Sequence, residues 1–345
     1  MSKRRPRDTC TMVFWATTSA APSVLSRFGL SIQNPDFLRK TVPNKPTGKY
    51  EPVRAIPAHL TVLARFWSEQ YCGADWIMDT SDDWVAKYVN DPTVYIFLLF
   101  MGSSIIGSIV STPITNGNTI FSNGTVLYDV RAIEGLCIHR SQRGKNLAGF
   151  LISYMDWYTA SIRPTVHLWS RELASVPFVH TAIQISTYAY IECVKARHRI
   201  PCSQMPMDDF QAYWKTYIIN HGISSPAIFT SNPMLRRDDI TVWHNTNNEH
   251  IAVVTFTRRR MRRTMLPIYE VVWVTSTSPA WFLESVAANL QGVLFASSAR
   301  QGGGATAEWP ASWVYGQSGV HAWYIYNYVP PSFGNCELNI IREEI

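Results

Sequence analysis

The chain has 345 residues, 46% of them hydrophobic and only 16% charged. That balance excludes a disordered polyelectrolyte, and the length suits two domains or one large two-lobed unit. Lys and Arg number 31 against 25 Asp and Glu, and the net charge of +6 fits an acidic or phosphorylated partner without demanding one.

The first fifty residues are rich in Pro, Ser, Thr and basic side chains and keep no sustained period, so they read as an arm, 1–50. Ala58 to Tyr71 predicts a helix with Leu60, Leu63, Ala64, Trp67 and Tyr71 on one face, and Ser81-Asp82-Asp83 opens a second. Val94 to Val110 carries no charge over 17 residues, just short of a membrane span. Its centre, Met101-Gly102-Ser103-Ser104, is a turn signal, and a buried hairpin of Tyr95–Phe100 and Ile105–Val110 is expected. A strand follows over Val126–Ile138, a polar turn over Gln142–Asn146, and a helix over Leu147–Ile162. Thr165–Trp169 reads as strand. Two prolines and dense charge between Arg197 and Met207 mark a boundary. Beyond it the pattern predicts a helix over Asp208–Asn220, strands over Ile251–Thr257 and Tyr269–Val274, and a helix over Pro279–Leu290. Strands over Gly292–Ala296 and Ala322–Tyr328 complete the reading. Helices mixed with hairpin-rich, mostly antiparallel sheet make this an α+β chain.

Six cysteines, at 10, 72, 137, 193, 202 and 336, form no CxxC pair and no zinc spacing, and read as free thiols of a reducing compartment. No metal site is expected. HExxH, GxGxxG and P-loop patterns are absent from the sequence, and no secretory signal is evident, so a cytoplasmic location is the expectation. Residue 2 is Ser, so the chain lacks the glycine that would make it a substrate for N-myristoylation itself.

The chemistry concentrates in Ile133-Glu134-Gly135-Leu136-Cys137-Ile138-His139-Arg140-Ser141-Gln142-Arg143-Gly144-Lys145-Asn146-Leu147-Ala148. A strand ends, a basic turn follows and a helix starts on small residues, which aims backbone N–H groups, the positive helix end and Arg/Lys side chains at one point. Such a point suits a phosphate, although an ordinary solvated basic turn has the same residues. The pattern resembles the coenzyme A pyrophosphate turn of the GNAT superfamily, Arg/Gln-x-x-Gly-x-Gly/Ala, with Asn146 where an acetyltransferase usually has Gly. It resembles more closely the N-myristoyltransferase family, whose Phe-Leu-Cys-Val-His, basic turn and Val-Ala helix start keep the same register. Tyr324-Ile325-Tyr326-Asn327-Tyr328-Val329-Pro330-Pro331-Ser332-Phe333-Gly334 is similar to that family's Tyr-x-Leu-Tyr-Asn-Trp-x-x-Pro-Ser-Met-Gly. Tyr71 to Trp84, a Tyr followed by acidic residues and Met78, is a weaker third match.

The resemblance implies two GNAT-like lobes, a tandem acyl-CoA N-acyltransferase fold with mixed, mostly antiparallel sheets flanked by helices. Lobe 51–200 would bind acyl-CoA. Lobe 201–345 would bind peptide and return its C-terminus to the site. It also implies an activity: transfer of myristate from myristoyl-CoA, a substrate rather than a resident cofactor, to the amine of an N-terminal Gly of a protein, by a monomer. The backbone amides of Gly135 and Leu136 would meet the oxyanion, Gly135 standing where the family has Phe. Arg140, Arg143 and Lys145 would hold the coenzyme A phosphates together with the amides of Gly144, Lys145, Asn146, Leu147 and Ala148. The family's base is its terminal carboxylate. Counted from Gly334 that position falls on about Glu343, so either the Glu343 side chain or the Ile345 carboxylate would accept the proton. The family's peptide-contact segments have no match in His167-Leu168-Trp169-Ser170-Arg171-Glu172, and none is carried over.

Two other readings stay open: a non-catalytic acyl-CoA or lipid-binding relative, and a GNAT acetyltransferase. Arg258-Arg259-Arg260-Met261-Arg262-Arg263 suits a ribosome, a nucleic acid or an anionic membrane, but a charge run specifies little and a solvated hairpin loop is the favoured expectation. Cys137 and His139, two apart in a strand, are better suited to packing than to a nucleophile pair.

Overall fold

The computed structural model describes residues 42–73, 76–113, 119–120, 127–163, 165–172, 182–192, 200–220, 240–297 and 320–326. Most of the basic arm, Asn327 to Gly334 of the C-terminal motif, and both candidate bases, Glu343 and Ile345, lie outside the described residues.

In chain order, β1 is Val53–Arg54, α1 Leu60–Gln70, β2 Trp76–Met78, α2 Asp82–Val89, β3 Tyr95–Met101 and β4 Ser104–Pro113. β5 is Thr119–Ile120, β6 Leu127–Ile138, α3 Leu147–Ile162, β7 Thr165–Glu172 and β8 Ala182–Glu192. β9 is Ser203–Met205, α4 Met207–Asn220, β10 Ile240–His244, β11 Ile251–Met261 and β12 Pro267–Thr275. α5, Pro279–Leu290, β13, Val293–Ser297, and β14, Val320–Tyr326, complete the described elements.

The uncharged run at 94–110 is a hairpin, with Gly102 left-handed at its tip (φ 62°) and Met101 paired with Ser104. Its unbroken apolar character has a packing cause. Ile96 and Leu98 face Trp67, Trp84 and Val85 of α1 and α2, whereas Phe97 and Leu99 face Leu151, Tyr154 and Met155 of α3. Both faces of β3 are covered, so both sets of alternating side chains are apolar. None of the described helices is long and apolar enough to cross a membrane.

α2 starts where the sequence places it: the Ser81 hydroxyl accepts from the Trp84 amide, and Asp82 and Asp83 sit in the first turn against the helix dipole. α3 and α5 match the sequence reading to the residue. In the C-terminal half the same two-sided logic recurs. Ala252 and Val254 of β11 pack on α5 through Phe282, Leu283 and Val286, whereas Ile251 and Val253 pack with Phe210 and Trp214 of α4.

Among the described residues the strands join in one mixed, mainly antiparallel sheet of order β1-β3-β4-β6-β7-β14-β8-β13-β12-β11-β10-β9. Its two parallel pairs are β6–β7, connected through α3, and β12–β13, connected through α5. The halves interleave. β14 lies between β7 and β8, pairing Tyr326 with His167, and β2 pairs with β11 through residues 259–261. Residues 42–50, the end of the expected arm, pack across α3. Lys45 Nζ stands 5.7 Å and 5.2 Å from the ring centroids of Tyr154 and Trp157, and a Cβ on Gly48 would come within 2.8 Å of the Phe150 ring.

Candidate active site

β6 is where the sheet opens. Its ladder with β7 runs only from Asp129–Thr165 to Ala132–Leu168, and from Ile133 onward β6 is paired on one side, to β4, among the described residues. The pairing to β4 is itself broken at this point. Ser108 pairs with Cys137 and Val110 with Glu134, so Gly135 and Leu136 together oppose the single residue Ile109. That is a β-bulge, and its first residue, Gly135, is left-handed at φ 54°. A Cβ resists this conformation, so Gly at the place of the family's Phe is matched to the backbone it adopts here. The Gly135 carbonyl accepts from Ser108 Oγ at 2.9 Å, and Ser108 Oγ accepts from Trp67 Nε1 at 3.0 Å; both bonds are buried.

The basic turn follows at once. His139 leads into a 3-10 turn, Arg140–Gln142, its ring nitrogen accepting from the Ser141 amide. Gly144 (φ 79°) and Asn146 (φ 57°) are both left-handed, and Asn146 is the N-cap of α3. After Gly, Asn tolerates this region best, so Asn146 takes a backbone shape that Gly adopts freely. Gly149 makes room for it, since a Cβ there would stand 2.6 Å from Asn146 Oδ1. The first α3 turn has no acidic side chain, and the first helical bond at this end runs from Phe150 N to Asn146 O. The amides of Leu147, Ala148 and Gly149 thus form the positive end of a four-turn helix.

The structure brings Arg140, Arg143 and Lys145 together on one exposed turn beside the end of α1. The Arg140 amide donates to Gln70 Oε1 at 3.2 Å, and its guanidinium reaches Glu69 O at 3.4 Å and Cys72 Sγ at 3.9 Å. Arg143 donates to Ile138 O at 3.2 Å and to Gln70 O at 3.5 Å. Lys145 Nζ donates to Gln142 Oε1 at 2.8 Å. The acceptors of these three side chains among the described residues are carbonyl, amide and sulfur atoms rather than carboxylates. The two arginines thereby cover the last carbonyls of α1, orphaned by helix geometry, and they leave guanidinium N–H groups for an anion.

Cys137 and His139 do not form a nucleophile pair. Cys137 packs with Trp67 and Val85, and burial pushes its thiol up to about 12 despite the nearby Arg143. His139 Nδ1 lies 2.9 Å from Ser141 Oγ instead. No group of three metal-ligating side chains occurs among the described residues. Sequence reading gave Ser108 and Gln70 no role and placed Trp67 only on a packing face, because each is marked only by its neighbours in space.

The arginine run at 258–263 has a different environment from a solvated loop. Arg258 (φ 56°) breaks the β11–β12 register, and Arg259, 6% exposed, stacks 4.0 Å from the Trp76 ring centroid. Arg260 pairs with Asp79 at 2.6 Å, and Arg262 donates to Gly73 O at 3.2 Å. Asp79 N also donates to Arg258 O at 2.7 Å. The run fastens the segment between α1 and α2 to the C-terminal half.

No family profile matches the chain, and no curated protein matches its sequence. Solved structures do match. N-myristoyltransferase of Saccharomyces cerevisiae with bound myristoyl-CoA aligns at a TM-score of 0.56 and 12% identity, over 86% of this chain and 86% of that one. The same yeast protein with bound myristoyl-CoA and inhibitors aligns at 0.55 and 11%, over 88% of this chain and 86% of that one. At such identities the likeness is one of fold: a mixed, largely antiparallel sheet flanked by helices, shared over most of both chains.

Proposed function

We propose that the chain is an N-acyltransferase that moves myristate from myristoyl-CoA to the amine of an N-terminal glycine. The observation that carries this reading is the bulge at Gly135–Leu136, set on the stretch of β6 that pairs with β4 alone among the described residues, immediately before a basic turn and a helix N-terminus. A thioester carbonyl placed at the bulge would have backbone donors for its developing oxyanion, while the pyrophosphate would meet Arg140, Arg143 and Lys145 and the amides of residues 144–148. The arginines would exchange neutral acceptors at the end of α1 for charged phosphate oxygens, which form the stronger bonds. The fold likeness to a yeast N-myristoyltransferase with bound myristoyl-CoA supports the same donor.

The acceptor amine has a pKa near 8 and is partly neutral at pH 7, so the site has only to take a proton. We assign that to the Glu343 side chain or the Ile345 carboxylate. The reach is available. Tyr326 lies two strands from β6, level with Arg131, which puts it roughly 16 Å from Gly135 by strand spacing and rise. The 17 residues from 327 to 343 extend to as much as about 56 Å.

A second reading is acetyl transfer: Asn146 stands where an acetyltransferase usually has Gly, but its left-handed backbone is one that Gly also adopts. One assay separates the readings. Purified full-length protein is mixed with myristoyl-CoA and a Gly-starting peptide, with acetyl-CoA and an Ala-starting peptide as controls, and products are read by mass. Myristoyl-glycyl peptide is expected. Acetyl transfer alone would replace the donor, and no acyl-peptide in any mixture would remove the enzyme reading. Deleting Glu344 and Ile345, in parallel with Glu343→Gln, identifies the base by which variant loses turnover.

A further inference from the structure

At the bulge one β6 carbonyl has lost its regular place in the β4 ladder, and a side chain supplies its donor. The hydrogen-bond chain Trp67 Nε1–H to Ser108 Oγ to Gly135 O runs in a direction that chemistry fixes. An indole N–H only donates and a carbonyl only accepts, so the single serine proton points at Gly135. Trp67 and Ser108 are both 0% exposed, and water does not compete for these bonds.

The consequence falls on the next amide. Gly135 C=O and Leu136 N–H belong to one planar trans peptide, and in such a unit the two bonds point to opposite sides. With the carbonyl held against Ser108, the Leu136 N–H points away from Ser108 and Trp67. Leu136 packs its side chain with the α3 cluster, and the β6 edge beyond Ala132 has no strand partner among the described residues. A carbonyl that accepts a hydrogen bond also polarises its own peptide, strengthening the N–H as a donor by about 10–30%. We infer that Ser108, held in place by Trp67, is a positioning residue for acyl transfer: it sets the direction and the donor strength of the Leu136 amide toward the thioester oxyanion. The inference rests on the acyl-transfer reading above and extends it to two side chains that touch neither substrate.

The test begins with Ser108→Ala, assayed with myristoyl-CoA and a Gly-starting peptide beside the wild type. A donor that is misaimed rather than removed should lower kcat about tenfold, less than deletion of an oxyanion donor, with the KM for myristoyl-CoA within about twofold. Ser108→Thr keeps the hydroxyl and should recover most of the lost kcat, and Trp67→Phe should lie between Ala and wild type. A spectroscopic arm reads the peptide itself. Labelling Gly at the carbonyl carbon and Leu at the nitrogen marks two peptides in this chain, Gly29–Leu30 and Gly135–Leu136, the first serving as internal reference. Ser108→Ala should move the 135–136 resonance and leave the other. A kcat within twofold of wild type, a lowered melting temperature as the sole effect, or an unmoved 135–136 resonance would each overturn the inference while leaving the acyltransferase intact. An inactive wild type would sink the functional reading, and the positioning role with it.

Discussion

Two arginine-rich stretches of this chain look alike on paper and stand in opposite surroundings. Arg258–Arg263 has five arginines in six positions, yet Arg259 is buried on Trp76, Arg260 is paired with Asp79 and Arg262 holds Gly73 O. Arg140, Arg143 and Lys145 are sparser and exposed, and their partners are neutral. What separates the two is backbone. The turn at 140–146 stands on two left-handed residues, a helix N-terminus and a strand edge without a partner strand among the described residues, which together gather N–H groups toward one point. Charge density alone does not separate the two surroundings.

The comparison breaks most readily at Gly135. Replacing it by Ala forces a Cβ into a left-handed position at a cost of about 1–2 kcal/mol. Relaxation of the strand then turns the 135–136 peptide away from its bond to Ser108. Loss of an oxyanion donor costs about 10²–10³ in kcat, so turnover of the folded variant should drop toward that range, as steady-state kinetics at saturating donor would read. If Gly135→Ala keeps wild-type kcat, the bulge is scaffold and the basic turn has no reaction beside it.

Arg140→Ala with Arg143→Ala sharpens the comparison from the binding side. Hydrogen bonds to charged groups contribute about 1.5–3 kcal/mol each, so KM for the acyl-CoA should rise at least tenfold, with kcat changed much less. The effect should shrink as salt rises. Arg259→Ala should do the reverse. Removing a buried guanidinium from its aromatic partner, together with its packing, should cost about 2 kcal/mol of unfolding free energy in a denaturant titration and leave KM where it was.

These variants also mark what could be read in advance. The 94–110 hairpin, α3 and α5 are visible in sequence because their signals are local: a Gly turn between β-rich runs, and apolar residues at helical spacing. β8 and β10 escaped the reading, and so did the place of β14 between β7 and β8. Strand pairing across more than a hundred residues leaves no local mark, and β14 is ordinary aromatic strand until His167 and Trp169 stand beside it. The site divides in the same way. The basic turn is legible from 140 to 148. Gly135 looks like a tolerated loss of a ring until its φ shows why a glycine belongs there, and Ser108 is one serine in an uncharged strand until Trp67 and Gly135 close around it. Arg259 misleads for the same reason, since nothing near it in sequence announces Trp76.

The smallest expected effect is the most exacting. Asp79→Asn leaves an oxygen to accept from Arg260 but removes the charge from a pair whose side chains are 37% and 45% exposed. Pairs this wet contribute about 0–1 kcal/mol, so the stability loss should stay below about 1 kcal/mol and fade in high salt. Acyl-CoA kinetics should not change if the arginine run is only a fastening. The segment it fastens, however, begins at the end of α1, where Arg140 and Arg143 hold Glu69, Gln70 and Cys72. A raised KM for acyl-CoA in Asp79→Asn, in a protein still as stable as wild type, would mean that the two arginine stretches communicate through residues 71–79. The contrast between a binding turn and a structural clamp would then give way to one connected device.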